Sequence, residues 1–416
     1  MFFLVSSMGT VGCKAETEPP PPTWHADVRP IIAQSCVHCH NTEGGLTSIA
    51  LDTYEDAHDW QVAIGAAVAA RTMPPWNAEE GCNRYEDDFS LAQDEIDTIV
   101  AWVEAGGPEG DRDDAAPTVD PWSPPTLDRV DITLQMPMPY TAKGSPDDYR
   151  CFIVEWPAED DLWVTAFEIV PDNTDVVHHV VPFIISPEDV DAFRQMDADE
   201  EGEGYTCYGG PGGDVLTLIQ TRWLGSWTPG SGAMALPDGH GLHIEPGSVI
   251  VMQMHYNAPG DDVQPDQSAI NVRVEAEAHK EAQIYRWAEI PWLFGEGMDI
   301  PANTVGVEHT FSYTQRDFDK TYTIHTVMPH MHTMGRSIDI RVFHPDGTET
   351  CLLHEPNYDF DWQRTYWLKE PLTIEEGDVS EVHCVWDNPT DQDVQWGEGT
   401  VDEMCLAVLF VTEEGG

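Results

Sequence analysis

Apolar residues recur at two different periods along this chain, and the change falls near residue 128. Before it the clearest pattern is helical: Ile96, Ile99, Val100 and Val103 fall three or four apart and share one helix face. Ser90 and Gln93 fit a capping box ahead of that face, and Gly106-Gly107 stops it. Residues 24–112 read as a small all-α domain. Residues 113–127, in a stretch rich in Asp, Pro and Gly, read as a linker. Beyond 128, β-prone runs recur between turn signals at 151–156, 162–170, 248–256, 270–274, 337–343, 382–386 and 405–411, and helical periodicity is weak. An all-β region of about 290 residues is large for one sandwich, so the pattern predicts two sandwich domains, 128–285 and 286–416.

The first 23 residues follow neither pattern. They open short and apolar, end on small residues, and pass into a polar, Pro-rich tether, which predicts a secretory signal. Thr10-Val11-Gly12-Cys13 is similar to a bacterial lipoprotein cleavage box, making Cys13 the lipid-bearing residue. The expected location is the periplasm or cell surface, with membrane attachment through that lipid alone. No later apolar run reaches the ~18 residues a spanning helix needs.

Charge narrows the partners. Lys and Arg number 19 against 75 Asp and Glu, a net charge of −56. Phosphate backbones need a cationic surface, so nucleic acid is excluded, and an anionic bilayer is disfavoured for the same reason. The charge reads as a solvated, self-repelling shell. Of nine cysteines, Cys82, Cys151, Cys207, Cys351, Cys384 and Cys405 are disulfide candidates in an exported chain.

Cys36-Val37-His38-Cys39-His40 is a C-x-x-C-H motif. Two thiols at this spacing can add to the two vinyl groups of a haem, and the adjacent His40 is placed to ligate iron. Met73, in a Met-Pro-Pro-Trp stretch, supplies a thioether for the opposite axial position, which raises the potential and suits electron transfer. On these features the segment resembles small class I cytochromes c with one covalent haem c.

Further along, histidines and methionines cluster at His178-His179, at Met252 to Asn257 around His255, at Met328 to Thr333 around His330 and His332, and at Met404. Residues two apart on a strand share a face, so His330 and His332 can grip one metal; imidazole and a soft thioether both suit copper. Adjacent histidines on a regular strand point apart, so joint ligation by His178 and His179 requires a bend or bulge. Singly, each residue also fits a structural role.

With those motifs in order, residues 128–412 resemble the copper type II, ascorbate-dependent monooxygenases (peptidylglycine alpha-hydroxylating and dopamine beta-monooxygenase-like). The resemblance implies a multidomain chain, a small all-α cytochrome c domain followed by two jelly-roll-like sandwiches with a solvent-accessible cleft between them. It implies two copper ions. One is held by His178, His179 and His255 and relays an electron; the other, held by His330, His332 and Met404, binds O2 and is the catalytic one. It implies a Cys384–Cys405 disulfide, with Cys151–Cys207 a plausible second; Cys82 and Cys351 stay unplaced. Peptide-amidating members hold a carboxylate with an Arg, an Asn and a Tyr where this chain has Met328, Leu406 and Val408. An apolar trio cannot clamp a carboxylate, which points to a small apolar substrate. His240, His243, His279, His309, His325, His344, His354 and His383 match no ligand position and read as structural or solvated.

Together these features predict an exported monooxygenase that hydroxylates a C–H bond with O2. The fused haem domain supplies or relays electrons, with ascorbate or another reductant as the ultimate donor. The alternative is a non-catalytic haem and copper protein of the cell surface, which would need the metals but no substrate cleft.

Overall fold

A computed structural model describes residues 20–42, 47–117, 124–143, 147–207, 210–213, 221–257, 263–314, 321–397, 399 and 401–414. Cys13 and the signal segment lie outside them. The chain divides into two compact units, residues 1–74 with 91–122, and 75–90 with 123–416.

The first unit is helical. A π-turn at Trp24–Val28 runs into α1 (Arg29–Ser35), followed by α2 (Tyr54–Ala69) and α3 (Gln93–Glu104). Ile96 and Ile99 are buried as their spacing predicts, beside Trp24, Val28, Ile32, Ile64, Val68 and Trp102. The start of α3 differs from the sequence reading. Its cap is Ala92, whose N–H donates to the Glu95 carboxylate, whereas the Ser90 N–H is taken by Asp88. The reciprocal carboxylate bond outcompetes the hydroxyl cap two residues earlier. Gly106 and Gly107 end the helix at φ 85° and 67°. A Cβ at Gly107 would also sit 2.4 Å from the Gln61 side-chain oxygen, so glycine is required there twice over.

The second unit is a pair of β-sandwiches. Its strands are β1 (Ile132–Gln135), β2 (Asp147–Glu155), β3 (Leu162–Val170), β4 (Val177–Ile185), β5 (Tyr205–Thr206), β6 (Arg222–Trp223), β7 (Met234–Ala235), β8 (His240–Ile244) and β9 (Val249–Asn257), then β10 (Ala269–Glu275), β11 (Lys280–Trp287), β12 (Thr304–Thr314), β13 (Thr321–His330), β14 (Gly335–Phe343), β15 (Glu349–Glu355), β16 (Tyr366–Ile374), β17 (Val379–Asn388) and β18 (Leu406–Glu414); a single helix, α4 (Val190–Asp199), follows β4. Every run read as a strand falls on one of them. β5-β2-β9-β4-β6 form one sheet and β12-β17-β14-β15 another. Each packs against half of a third, in the order β1-β10-β3-β8-β11-β18-β13-β16 with β7 on β3. That long sheet serves both sandwiches. Its halves meet where β8 and β11 run parallel over two residue pairs, His240–Lys280 and Gly241–Glu281. The boundary read at 285/286 therefore falls inside β11, a strand of the shared sheet.

The sandwiches have separate cores, one around Phe152, Phe167, Leu224, Ile250 and Met252, the other around Trp287, Ile324, Ile340, Leu352 and Trp386. Burial alternates residue by residue along β17, while β9, covered on both faces, is buried from Val249 to Tyr256.

Residues Pro75–Ser90, placed by the sequence reading inside the 24–112 domain, group instead with the second sandwich. Tyr85 is buried in that core, with its hydroxyl donating to the Leu352 carbonyl, and Trp76 packs against it. A Cys82–Cys351 disulfide holds the segment to β15. Cys151–Cys207 and Cys384–Cys405 pair as well, so all six candidate cysteines are bridged.

Candidate metal centres

In the first sandwich, β4 carries a register irregularity between Val177 and His179, the bulge that two adjacent histidines need to face one way. His179 lies opposite His255 of β9. The Nδ1 atoms of His178, His179 and His255 face one another at 3.2, 3.2 and 3.4 Å. A point equidistant from three nitrogens so spaced lies about 1.9 Å from each, close to an imidazole–metal bond of ~2.0 Å. Asp147 of β2 lies 2.9 Å from His255 Nε2. A carboxylate accepts only, so the proton sits on Nε2 and the Nδ1 lone pair faces the centre. Tyr149 stacks on the His255 ring at 4.1 Å. Burial lowers all three histidines: His255 to about 4 against the pull of Asp147, His179 well below its ordinary value with the other imidazoles adding to the effect, and His178 less far. Each is neutral at neutral pH, the form that binds metal.

In the second sandwich, β13 ends at His330, and His332 lies just beyond it rather than two along a continuing strand. The rings still meet, 5.2 Å apart and nearly perpendicular. Here the Nδ1 atoms are occupied. His332 Nδ1–H donates to the Asp402 carbonyl at 3.0 Å, and His330 Nδ1 pairs with Gln363 Oε1 at 2.6 Å. These bonds leave Nε2 to carry the lone pair on both rings. Burial, with His332 adding to it, pushes His330 down to about 3; burial also lowers His332.

Glu403, fully buried beside Met404, ties the two segments of this cluster together. Its carboxylate accepts from the backbone N–H of His332, Met334 and Met404 and from Trp386 Nε1. Burial raises it to about 7 against those four donors. Cys384–Cys405 braces the next residue. Sequence alone gives Glu403 no role; its burial and its donors reveal one.

His178 and His179 of the first cluster and both histidines of the second line one cavity of about 380 Å³, together with Met404, Met328, Leu406, Val408, Trp223, Trp396 and Phe360. Met404, Leu406 and Val408 form an apolar patch that continues to Ile284, Ala288 and Met328. Among the described residues the cation lining it is Arg286, which lies over the Trp223 ring at 5.7 Å and donates to the Thr221 carbonyl. Other histidines have structural partners: His325 with Thr412, His344 with Asp378 and Thr350, His354 with Glu79, His309 with the Asp299 carbonyl. His243 pairs with Asp161 near Glu245 on exposed surface.

In the helical unit, Cys36 caps α1, and neither Cys36 nor Cys39 is in a disulfide. Burial, with Cys39 and Glu95 adding to it, pushes the Cys36 thiol up to about 12. A reactive dithiol is pushed the other way. His40 Nδ1–H donates to the Ile49 carbonyl at 3.0 Å, which leaves Nε2 available to a metal. Met73 follows α2, partly buried.

Residues 289–412, a span that holds His330, His332 and Met404, match the family model for the C-terminal domain of copper type II ascorbate-dependent monooxygenases. DBH-like monooxygenase protein 1 of Homo sapiens is 24% identical over 247 residues, 56% of this chain and 39% of that protein. Peptidylglycine alpha-amidating monooxygenase of Rattus norvegicus is 22% identical over 307 residues, 71% of this chain and 28% of its own. Dopamine beta-hydroxylase of Rattus norvegicus is 23% identical over 280 residues, 62% and 42% respectively. The chain thus spans less than half the length of these curated relatives.

Proposed function

We propose that this protein is an exported, copper-dependent monooxygenase that hydroxylates a C–H bond of a small apolar substrate and draws its electrons through a c-type haem on the same chain. The observation that carries the reading is two imidazole groups, one presenting Nδ1 atoms and the other Nε2 atoms, with His178, His179, His330 and His332 lining one cavity that Met404 also lines. His178, His179 and His255 would hold the electron-relaying copper; His330, His332 and Met404 would hold the catalytic one. Copper in these places supplies one-electron redox chemistry and, at the second, activation of O2. Asp147, Gln363 and the Asp402 carbonyl fix which ring nitrogen is offered. The soft Met404 thioether favours the reduced metal. Met328, Leu406 and Val408 exclude water and favour an uncharged substrate, and the engagement of Arg286 with Trp223 and Thr221 supports that preference.

Cys36 and Cys39 would bind the haem, with His40 and Met73 as axial ligands. Two thiols outside the disulfides and the orientation of His40 fit that group. Haem so held supplies or relays electrons from ascorbate or another reductant. Three disulfides support an oxidising compartment, in line with export and a lipid anchor at Cys13 in the periplasm or at the cell surface.

Stopped flow tests the reading. Reduced protein mixed with O2 should reoxidise its haem only when copper and an apolar substrate are both present, and His330→Ala should abolish that reoxidation. Haem reoxidation indifferent to copper would contradict it.

A further inference from the structure

The two clusters stand on different sandwiches. His178, His179 and His255 belong to β4 and β9; His330 and His332 belong to the end of β13. The long sheet that joins those sandwiches does so through two residue pairs of β8 and β11. Beside that seam Ala282 and Phe410 also pack into the core of the first sandwich, so the sandwiches are joined there, at a distance from the space between the two clusters.

The segment after β15 crosses that gap. Tyr358 grips Met331, between the two histidines: its hydroxyl donates to the Met331 carbonyl at 2.8 Å and accepts the Met331 N–H at 3.1 Å. Gln363 holds His330 and also donates to the Phe360 carbonyl. Asp359 caps the short helical turn Phe360–Trp362. From this anchored turn the Phe360 ring stands edge-on to His332 at 6.0 Å. It also lies nearly parallel to His178 of the other sandwich at 6.5 Å. Arg364, two residues past the turn, sits over the rings of Trp76 and Phe89 in the disulfide-held segment, which fixes the far end of the turn.

We propose that Phe360 is a positioning residue that sets the separation of the two metal sites, an aromatic spacer carried by the second sandwich and seated against the first. The inference rests on the metal reading above. Phe360 touches histidine rings rather than metal or substrate, and it acts through them. An aromatic ring suits the task because it is rigid and meets imidazoles by face and edge.

The test is magnetic. With both sites loaded as Cu(II), dipolar broadening of the EPR spectrum falls with the cube of the metal–metal distance. The full-length protein should hold two coppers per chain and show a broadening absent from preparations loaded with one. Phe360→Ala should keep two coppers and lose most of that broadening, its spectrum approaching the sum of two isolated sites. Phe360→Tyr should restore it. Phe360→Leu, which keeps apolar bulk without the ring, should fall between and serves if the alanine variant does not fold. Two coppers with unchanged broadening in Phe360→Ala or Phe360→Leu would overturn the proposal. Fewer than two coppers in the parent protein would overturn the metal reading, and this inference with it.

Discussion

Asp147 is the side chain through which the first cluster holds its tautomer, and its removal should be felt there alone. Asp147→Ala should weaken copper binding at the three-histidine site by about 10- to 100-fold and leave the second site unchanged, as competitive titration with a copper chelator would read. Equal loss at both sites would point to general unfolding instead. Glu355 gives a second residue-level prediction. It is buried and accepts from the Tyr366 hydroxyl, and burial raises it to about 8. A carboxyl raised on folding contributes stability that is full below its unfolded value near 4.5 and is lost as pH rises through 8. Glu355→Gln should therefore flatten the fall in Tm between about pH 5 and 8; parallel curves for variant and parent would contradict this. The histidines that come together, His178 and His179 with His255, and His330 with His332, stood out as clusters in the sequence. Their supports did not. Asp147 lies 108 residues from His255 and carries no motif, and Gln363 and Phe360 meet the histidines only through a loop.

At the scale of elements, alternation located the strands well, since a face that is half buried writes its period into the sequence. β9 was legible for a different reason, as the apolar run Val249 to Met252 resumed at Met254 and Tyr256. What alternation cannot show is which sheet a strand joins, so the shared β8–β11 seam escaped it. The cap of α3 slipped by two residues because Ser90 and Glu95 compete for the same end. The Cys82–Cys351 pairing joins residues 269 apart and could not be deduced from spacing. It closes a long loop and fixes the Pro75–Ser90 segment. Cys351→Ser should cost about 2–5 kcal/mol in denaturant unfolding of the second unit, as a lost disulfide in an exported protein does. An unchanged midpoint would mean that Tyr85 and its neighbours hold the segment unaided.

Taken whole, the molecule carries a net charge of −56, and its acidic groups repel one another in every compact state. Added salt should raise Tm between low ionic strength and about 1 M, where the screening length falls to roughly 3 Å. A flat response would show that local ion pairs such as those of Arg129 and Arg150 already offset the repulsion. The charge also favours a small, uncharged or cationic partner over an anionic one, in keeping with the apolar cavity. The account depends before all else on two coppers held by two different sets of side chains. Elemental analysis of the copper-loaded, haem-bearing protein tests it directly. The account predicts two coppers and one haem per chain, falling to one copper in His178→Ala and one in His330→Ala. Haem without copper, or a copper content that neither substitution changes, would contradict it.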